Sequence, residues 1–134
     1  MTEGTESSSE AVTSGVRVAV RARYIPERSN PGDGEWFFAY TIRITNESER
    51  TVQLLSRHWV INDADGKVEE VRGPGVVGQQ PVLSPGESFE YTSACPLPTS
   101  FGVMQGTYQM VTPSGDHFDI DIAPFSLHEP YAIN

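Results

Sequence analysis

Residues 36–45 read WFFAYTIRIT, and this stretch decides the fold class. Large apolar side chains occupy every second position. A two-residue period is typical of a β-strand with one buried face, because successive side chains of a strand point to opposite sides. The positions predicted to face the core are Trp36, Phe38, Tyr40, Ile42 and Ile44, and those between them are Phe37, Ala39, Thr41, Arg43 and Thr45.

Stretches of the same kind recur along the chain. Turn-forming segments such as NESER, DADG, LSPG and TPSG separate them, and no window has an apolar period of 3.6 residues. We therefore predict an all-β sandwich or barrel of about seven strands. The other predicted strands lie in VRVAVRARY (16–24), VQLLSRHWVIN (52–62), KVEEVR (67–72), ESFEYTSAC (87–95), FGVMQGTYQMV (101–111) and DHFDIDIAPF (116–125).

The chain has 134 residues, which suits one domain with its own core. Lys and Arg number 9 against 18 Asp and Glu, and the net charge of −9 argues against binding to nucleic acid or to an anionic membrane. The one cysteine, Cys95, cannot form an intrachain disulfide, and no apolar run approaches the roughly 20 residues that span a bilayer. We expect a cytoplasmic protein in which Cys95 is a core residue.

Residues 1–14 are mostly Ser, Thr, Glu and Gly. Such a composition buries too little apolar surface to offset the entropy lost on ordering. We therefore predict a disordered acidic tail over residues 1–14 and a β-sandwich domain over residues 15–134.

Residues 52–95, VQLLSRHWVINDADGKVEEVRGPGVVGQQPVLSPGESFEYTSAC, closely resemble the core of ApaG proteins. The resemblance continues through FGVMQGTYQM and FDIDIAPFSL. It implies a fibronectin type III-like or immunoglobulin-like β-sandwich, in agreement with the strand pattern. It further implies an association with cobalt and magnesium homeostasis, and the eukaryotic relatives use the domain in protein–protein contacts. A β-sandwich without a membrane span is not an efflux channel, so that association is indirect.

The segment GPGVVG, residues 73–78, has the glycine spacing of a dinucleotide-binding fingerprint. The fingerprint needs a helix after its glycines, and here Pro81 and Pro85 oppose one. A Rossmann fold is therefore rejected, and the glycines are expected to shape an irregular connection. An alternative remains open, in which this loop holds a polyphosphate or pyrophosphate. Its predicted phosphate-binding residues are Gly73, Gly75, Gly78, Arg57 and His58.

Arg57 interrupts the apolar pattern of its strand. Strict alternation places it on one face with Leu55, Trp59 and Ile61, and places His58 on the other face. An unpaired guanidinium is too costly to bury. The sequence therefore predicts either a β-bulge that shifts the register or a half-buried Arg57 with an acidic partner or a water-filled cleft.

A row of arginines lies on the outward side of residues 16–24. Arg17, Arg21 and Arg23 alternate with apolar residues, and Arg43 and Phe37 are expected to join them on the same sheet face. Such a face suits electrostatically steered binding of a protein partner. The alternative is a set of surface ion pairs, for which Glu90 is a candidate partner.

The last predicted strand presents His117, Asp119 and Asp121 on one face. An imidazole and two carboxylates suit a divalent cation. Same-face neighbours on a strand are roughly 6–7 Å apart, however, which favours a solvated acidic face over a shared ion.

No motif for a catalytic nucleophile, a zinc protease or a redox dithiol is present in the sequence. We therefore expect a non-enzymatic module without a cofactor that binds an unidentified protein partner. The two rival hypotheses are binding of a polyphosphate at residues 73–78 and direct binding of a divalent cation.

Overall fold

The computed structural model describes residues 6–130, which form two packed β-sheets. The predicted all-β sandwich is confirmed, with nine strands where about seven were expected. No helix in the described residues is long and apolar enough to cross a membrane. The strands are β1 (Glu6–Thr13), β2 (Val16–Tyr24), β3 (Trp36–Asn46), β4 (Val52–Asp63), β5 (Val68–Pro74), β6 (Val82–Leu83), β7 (Ser88–Leu97), β8 (Phe101–Val111) and β9 (His117–His128).

All strand pairs are antiparallel. The first sheet has the order β1-β2-β3-β7, so the strands predicted at 16–24, 36–45 and 87–95 lie side by side in one sheet. The second sheet has the order β5-β4-β8-β9, and the two-residue strand β6 pairs with the start of β4.

The core lies between the sheets and contains the side chains that the two-residue period predicted. Tyr91 of β7 and Tyr108 of β8 are both buried, and their hydroxyl groups are hydrogen-bonded at 2.5 Å. This bond joins the two sheets. Nearby, the rings of Tyr40 and Trp59 meet edge-on with centroids 5.5 Å apart, a geometry that aromatic rings prefer. The largest fully buried side chains include Phe38, Ile42, Ile44, Leu54, Met104, Tyr108, Met110, Ile120 and Ile122.

The prediction of a disordered segment over residues 1–14 is wrong for Glu6–Thr13, which forms strand β1. This strand pairs with β2 along its whole length, from Glu6 opposite Arg23 to Thr13 opposite Val16. A two-residue turn connects the strands, and both turn residues have positive φ, 53° at Ser14 and 78° at Gly15. Turns of this kind match the twist of the strands that they join. Residues 1–5 lie outside the described residues.

Strand β1 is ordered by polar contacts as well as by its ladder. Ser9 Oγ donates to the carbonyl oxygen of Ala123 at 2.8 Å, and Ser7 Oγ donates to that of Ser126. The amide of Asp121 donates to Thr13 Oγ1 at 3.1 Å. These three bonds connect the edge of the first sheet to β9 at the edge of the second. Hydroxyl groups thus stabilise a strand whose composition offers little apolar surface.

The second sheet has one point of very close approach between backbones. Gly106 of β8 lies opposite Trp59, and a Cβ atom built on Gly106 would lie 2.1 Å from the carbonyl oxygen of His58. Glycine is therefore required here for close approach rather than for an unusual φ.

We predict that Gly106→Ala lowers the free energy of unfolding by roughly 3 kcal/mol, because β4 and β8 must move apart to admit the methyl group. Urea denaturation monitored by tryptophan fluorescence measures the change. Gly32→Ala is the matched control, since the nearest atom to its added Cβ would be 3.7 Å away. Equal stability of the two variants would contradict the prediction.

Candidate functional site

A β-bulge in β4 determines where Arg57 points. The pairing between β4 and β8 shifts between Leu54 and Ser56, so that Leu55 is an extra residue. Without a bulge, even-numbered and odd-numbered residues of a strand face opposite sides. Because of the extra residue, the even-numbered Leu54 and the odd-numbered Arg57 and Trp59 all face the core. The predicted bulge is present, but it moves Leu55 off the inward face and leaves Arg57 on it.

Arg57 is half-buried and is bonded to backbone carbonyl groups. Its Nη1 donates to the carbonyl oxygens of Pro74 at 2.9 Å and Gly75 at 2.8 Å. Among the described residues, no carboxylate lies within 4.0 Å of this guanidinium. The prediction of an acidic partner for Arg57 is therefore wrong. The guanidinium instead lines a cleft, which was the other predicted alternative.

The three glycines of residues 73–78 allow the backbone to pass close to Arg57 and to turn. A Cβ atom on Gly73 would lie 2.9 Å from Nη2 of Arg57, and one on Gly75 would lie 2.4 Å from the carbonyl oxygen of Gln79. Gly78 follows Val77 in a tight turn in which both have positive φ, 80° and 42°. The expectation that these glycines shape an irregular connection is consistent with this geometry.

The amide groups of this loop are largely used within the protein. Gly75 N donates to the carbonyl oxygen of Leu55 at 2.8 Å, and Val76 N donates to that of Gln79 at 2.8 Å. Gly73 belongs to β5 and pairs with Arg57 in the sheet. Among the described residues, the loop amides without a bonded acceptor are those of Val77 and Gly78, fewer than the several amides that phosphate-binding loops direct at one point.

His58 lies on the opposite face of the second sheet from Arg57, so the structure does not bring these two predicted ligands together. Its Nε2 lies 2.8 Å from Oε1 of Glu70 on β5. Successive residues of a strand point to opposite faces, which separates them. His58 instead lines a shallow groove of about 540 Å³ on the outer face of the second sheet, together with Asp121.

A cavity of about 390 Å³ lies beneath the glycine loop, between the two sheets. It opens on the side of the sandwich where β7 ends the first sheet and β5 ends the second. Its walls combine aromatic rings with hydrogen-bonding groups. Its lining includes Tyr40, Tyr91 and Ser93 of the first sheet, Arg57 and Trp59 of the second, and Val76 of the loop.

Trp59 has a buried hydrogen-bond donor without a partner. The residue is 3% exposed, and its Nε1 is the one buried side-chain nitrogen or oxygen in the described residues that lacks a hydrogen bond. The other tryptophan, Trp36, donates from Nε1 to Glu129 at 3.0 Å. Buried donors nearly always have a hydrogen-bond acceptor, so the indole N–H group of Trp59 is an exception to that rule.

The phenol and thiol groups around the cavity remain protonated at neutral pH. Burial raises the pKa of Tyr40, and it raises those of Tyr91 and Tyr108 well above the ordinary value for a phenol. Burial, helped by the negative charge of Glu69, raises the pKa of Cys95 to about 12. The prediction that Cys95 is a core residue is confirmed, since it is 6% exposed.

The predicted row of arginines lies on the outer side of the first sheet, and acidic side chains share that face with it. Arg17 donates from Nε to Glu47 at 2.7 Å and from Nη1 to Glu10 at 2.9 Å, and the hydrogen bond from Arg17 lowers the pKa of Glu47. Arg21 lies 3.8 Å from the predicted partner Glu90.

The rest of this face is less strongly paired. Arg28 covers the ring of Phe37 at 4.6 Å. Arg23 and Arg43 have no carboxylate within 4.0 Å among residues 6–130. Both predicted outcomes, ion pairs and a basic surface, therefore occur on one face.

His117, Asp119 and Asp121 are exposed on the outer side of β9, as predicted. Across the described part of the chain, no three His, Cys, Asp or Glu side chains lie close enough together to hold a metal ion. The alternation of the strand keeps these three side chains apart.

Comparison with known proteins identifies the family. The ApaG domain matches residues 26–112. The protein ApaG of Rhodopseudomonas palustris strain TIE-1 is 57% identical over 120 residues, which cover 90% of this chain and 92% of that protein. The chain belongs to the ApaG family.

Other relatives agree with this assignment. Protein ApaG of Beijerinckia indica is 52% identical over 121 residues, covering 90% of this chain and 93% of that protein. The crystal structure of the putative ApaA protein from Bordetella pertussis superimposes with a TM-score of 0.84 at 54% identity. That comparison covers 86% of this chain and 94% of the other.

The raised pKa of Cys95 predicts a loss of stability at alkaline pH. An unfolded thiol loses its proton near its ordinary pKa of 9.0, whereas the folded one keeps it to about 12. Between these values the folded state binds more protons, so the free energy of unfolding falls as pH rises, by up to about 1.4 kcal/mol per pH unit. Urea denaturation between about pH 8 and 10 should show a smaller fall for Cys95→Ala. Parallel curves for the two proteins would contradict this assignment.

Proposed function

We propose that this ApaG-family protein is a non-catalytic interaction module that binds an extended segment of a partner protein along the free edge of β7. The observation that carries the proposal is that β7, ten residues long, ends the first sheet and pairs only with β3 among the described strands. A free strand edge offers a row of backbone donors and acceptors to an added strand.

The alternation of backbone bonds identifies the groups on this edge. Asn46 N donates to the carbonyl oxygen of Glu87 at 2.9 Å, just before β7 begins. Because backbone bonds alternate along an antiparallel pair, the odd-numbered residues of β7 are the ones whose amides and carbonyl groups bond to β3. The amides of Glu90, Thr92 and Ala94 therefore point the other way in the plane of the sheet, out from its free edge. Pro96 fits the same pattern, because proline lacks an amide hydrogen and is tolerated where no ladder bond is needed.

The other sheet edges are less open to a partner. The edges at β1 and β9 are connected by the hydroxyl bonds of Ser7, Ser9 and Thr13. The edge at β5 carries the charged run VEEVR, which discourages strand addition. On β7 the central pair Thr92 and Ala94 is uncharged, so an added strand meets no desolvated charge there.

The Arg-rich face is the second contact surface in this proposal. Thr92 lies opposite Thr41 on the outer side of the first sheet, and Arg43 lies opposite Glu90. A strand added beside β7 would extend that face, and the part of the partner that continues over the face would meet Arg43 on β3 and Arg21 on β2 with acidic side chains. In this proposal the association with cobalt and magnesium, which the resemblance to ApaG proteins implies, is indirect and depends on what the partner protein does.

The test compares Thr92→Pro with Thr92→Val, both with a photo-crosslinking residue in place of Ala94, in cells. Proline removes an outward amide, whereas valine keeps it, and both variants lose the hydroxyl bond between Thr92 and Thr41. We expect the partner adduct to disappear in the proline variant alone, with similar thermal stability of the two proteins. Adducts of the same partner in both variants would exclude this edge.

A further inference from the structure

We propose that the cavity between the sheets binds a carboxylate group, which is held by the Nε and Nη2 atoms of Arg57 and packs against the indole ring of Trp59. This inference goes beyond the interaction along β7 and does not depend on it.

The charge of Arg57 leaves room for an anion. Its Nη1 is engaged by the carbonyl oxygens of Pro74 and Gly75. No acceptor among the described residues is bonded to Nε or Nη2, which form one edge of the planar guanidinium. That edge presents two parallel donors, the geometry that matches the two oxygens of a carboxylate.

Trp59 lines the same cavity and provides a wall for the ligand. Its indole lies on the cavity together with Arg57, whereas its Nε1 is buried without a hydrogen bond. A ligand in the cavity does not reach that nitrogen, because the position from which an acceptor would bond it is closed to solvent. The ring of Trp59, rather than its N–H group, is therefore the surface that a bound acid contacts.

The remaining polar groups of the cavity are hydroxyl groups, and at least one of their protons is not used in a hydrogen bond within the protein. Tyr91 and Tyr108 share one hydrogen bond, which uses one of their two phenolic protons. Ser93 lies opposite Tyr40 in the first sheet and also lines the cavity. No acidic side chain lines it. A surplus of donors around one cation selects an anionic, acceptor-rich ligand and disfavours a metal cation.

The walls favour a carboxylate over a phosphate. Phosphate sites gather several free backbone amides, and here the amides of Gly75 and Val76 are already bonded within the protein. The rings of Tyr40 and Trp59 and the side chain of Val76 provide apolar contact for the body of an organic acid. The volume of about 390 Å³ fits a small acid or the end of a peptide chain.

The experiment follows the two indole cross-peaks in ¹⁵N–¹H spectra of the full chain. The probes are succinate, benzoate, their neutral amides, inorganic phosphate, and a tetrapeptide with a free or an amidated carboxyl terminus. We expect a carboxylate probe to shift the Trp59 indole cross-peak in a saturable manner, because that indole lines the cavity, while the Trp36 cross-peak stays in place. The neutral amides should leave both unchanged.

Two variants test the role of Arg57. Arg57→Gln should weaken the response at least about tenfold. Arg72→Gln is the matched control, because it removes the same charge from the exposed neighbouring strand and should leave the response intact. Gly73→Ala pushes only the flexible guanidinium aside and should weaken binding in a folded protein.

The outcomes separate the sources of the carboxylate. A response to the free tetrapeptide alone assigns the cavity to a chain terminus, and a response to succinate or benzoate alone assigns it to a small acid. Both support carboxylate binding. The proposal is overturned if no acid moves the Trp59 cross-peak, if phosphate binds more tightly than every carboxylate, or if Arg57→Gln and Gly73→Ala both bind like the wild type.

Discussion

The extra residue at Leu55 is the constraint on which the rest of this structure depends. Before it, even-numbered residues of β4 face the core, and after it odd-numbered ones do. A strand without the bulge could not point both Leu54 and Arg57 inward. Because it does, a cation lies against the core of a sandwich whose net charge is −9, and the loop at residues 73–78 must pass close enough to bond it.

The glycine loop follows from that cation. Gly73 leaves space for the guanidinium, and the carbonyl groups of Pro74 and Gly75 accept its hydrogen bonds. A spacing that matches a nucleotide fingerprint thus arises here from packing against an arginine and from a tight turn. The carbonyl groups of Pro74 and Gly75 accept hydrogen bonds from Arg57, whereas the amides of Gly75 and Val76 donate to other backbone carbonyl groups. In a phosphate-binding loop it is the amides that bond the ligand.

The two-residue period sufficed to predict seven of the strands and their inward faces, because alternation reports burial directly. It did not predict β1, whose order depends on a ladder and on hydroxyl bonds to β9. The turn-forming pair Ser14-Gly15 was the signal that was available. The inward positions of Tyr40 and Trp59 were predicted, and a cleft beside Arg57 was one of the alternatives, but the size of the cavity and the set of residues that line it were not. Whether facing side chains fill the space between two sheets depends on distances that a sequence does not encode locally.

The contact between β1 and β9 also determines how the chain enters and leaves the fold. Ser7 bonds to Ser126, so the first and last strands run side by side at one edge of the sandwich. A unit whose two ends emerge together can be spliced into a surface loop of another protein with little strain on the host. The architecture is therefore portable, and it can join larger polypeptides as an insertion as readily as at a terminus.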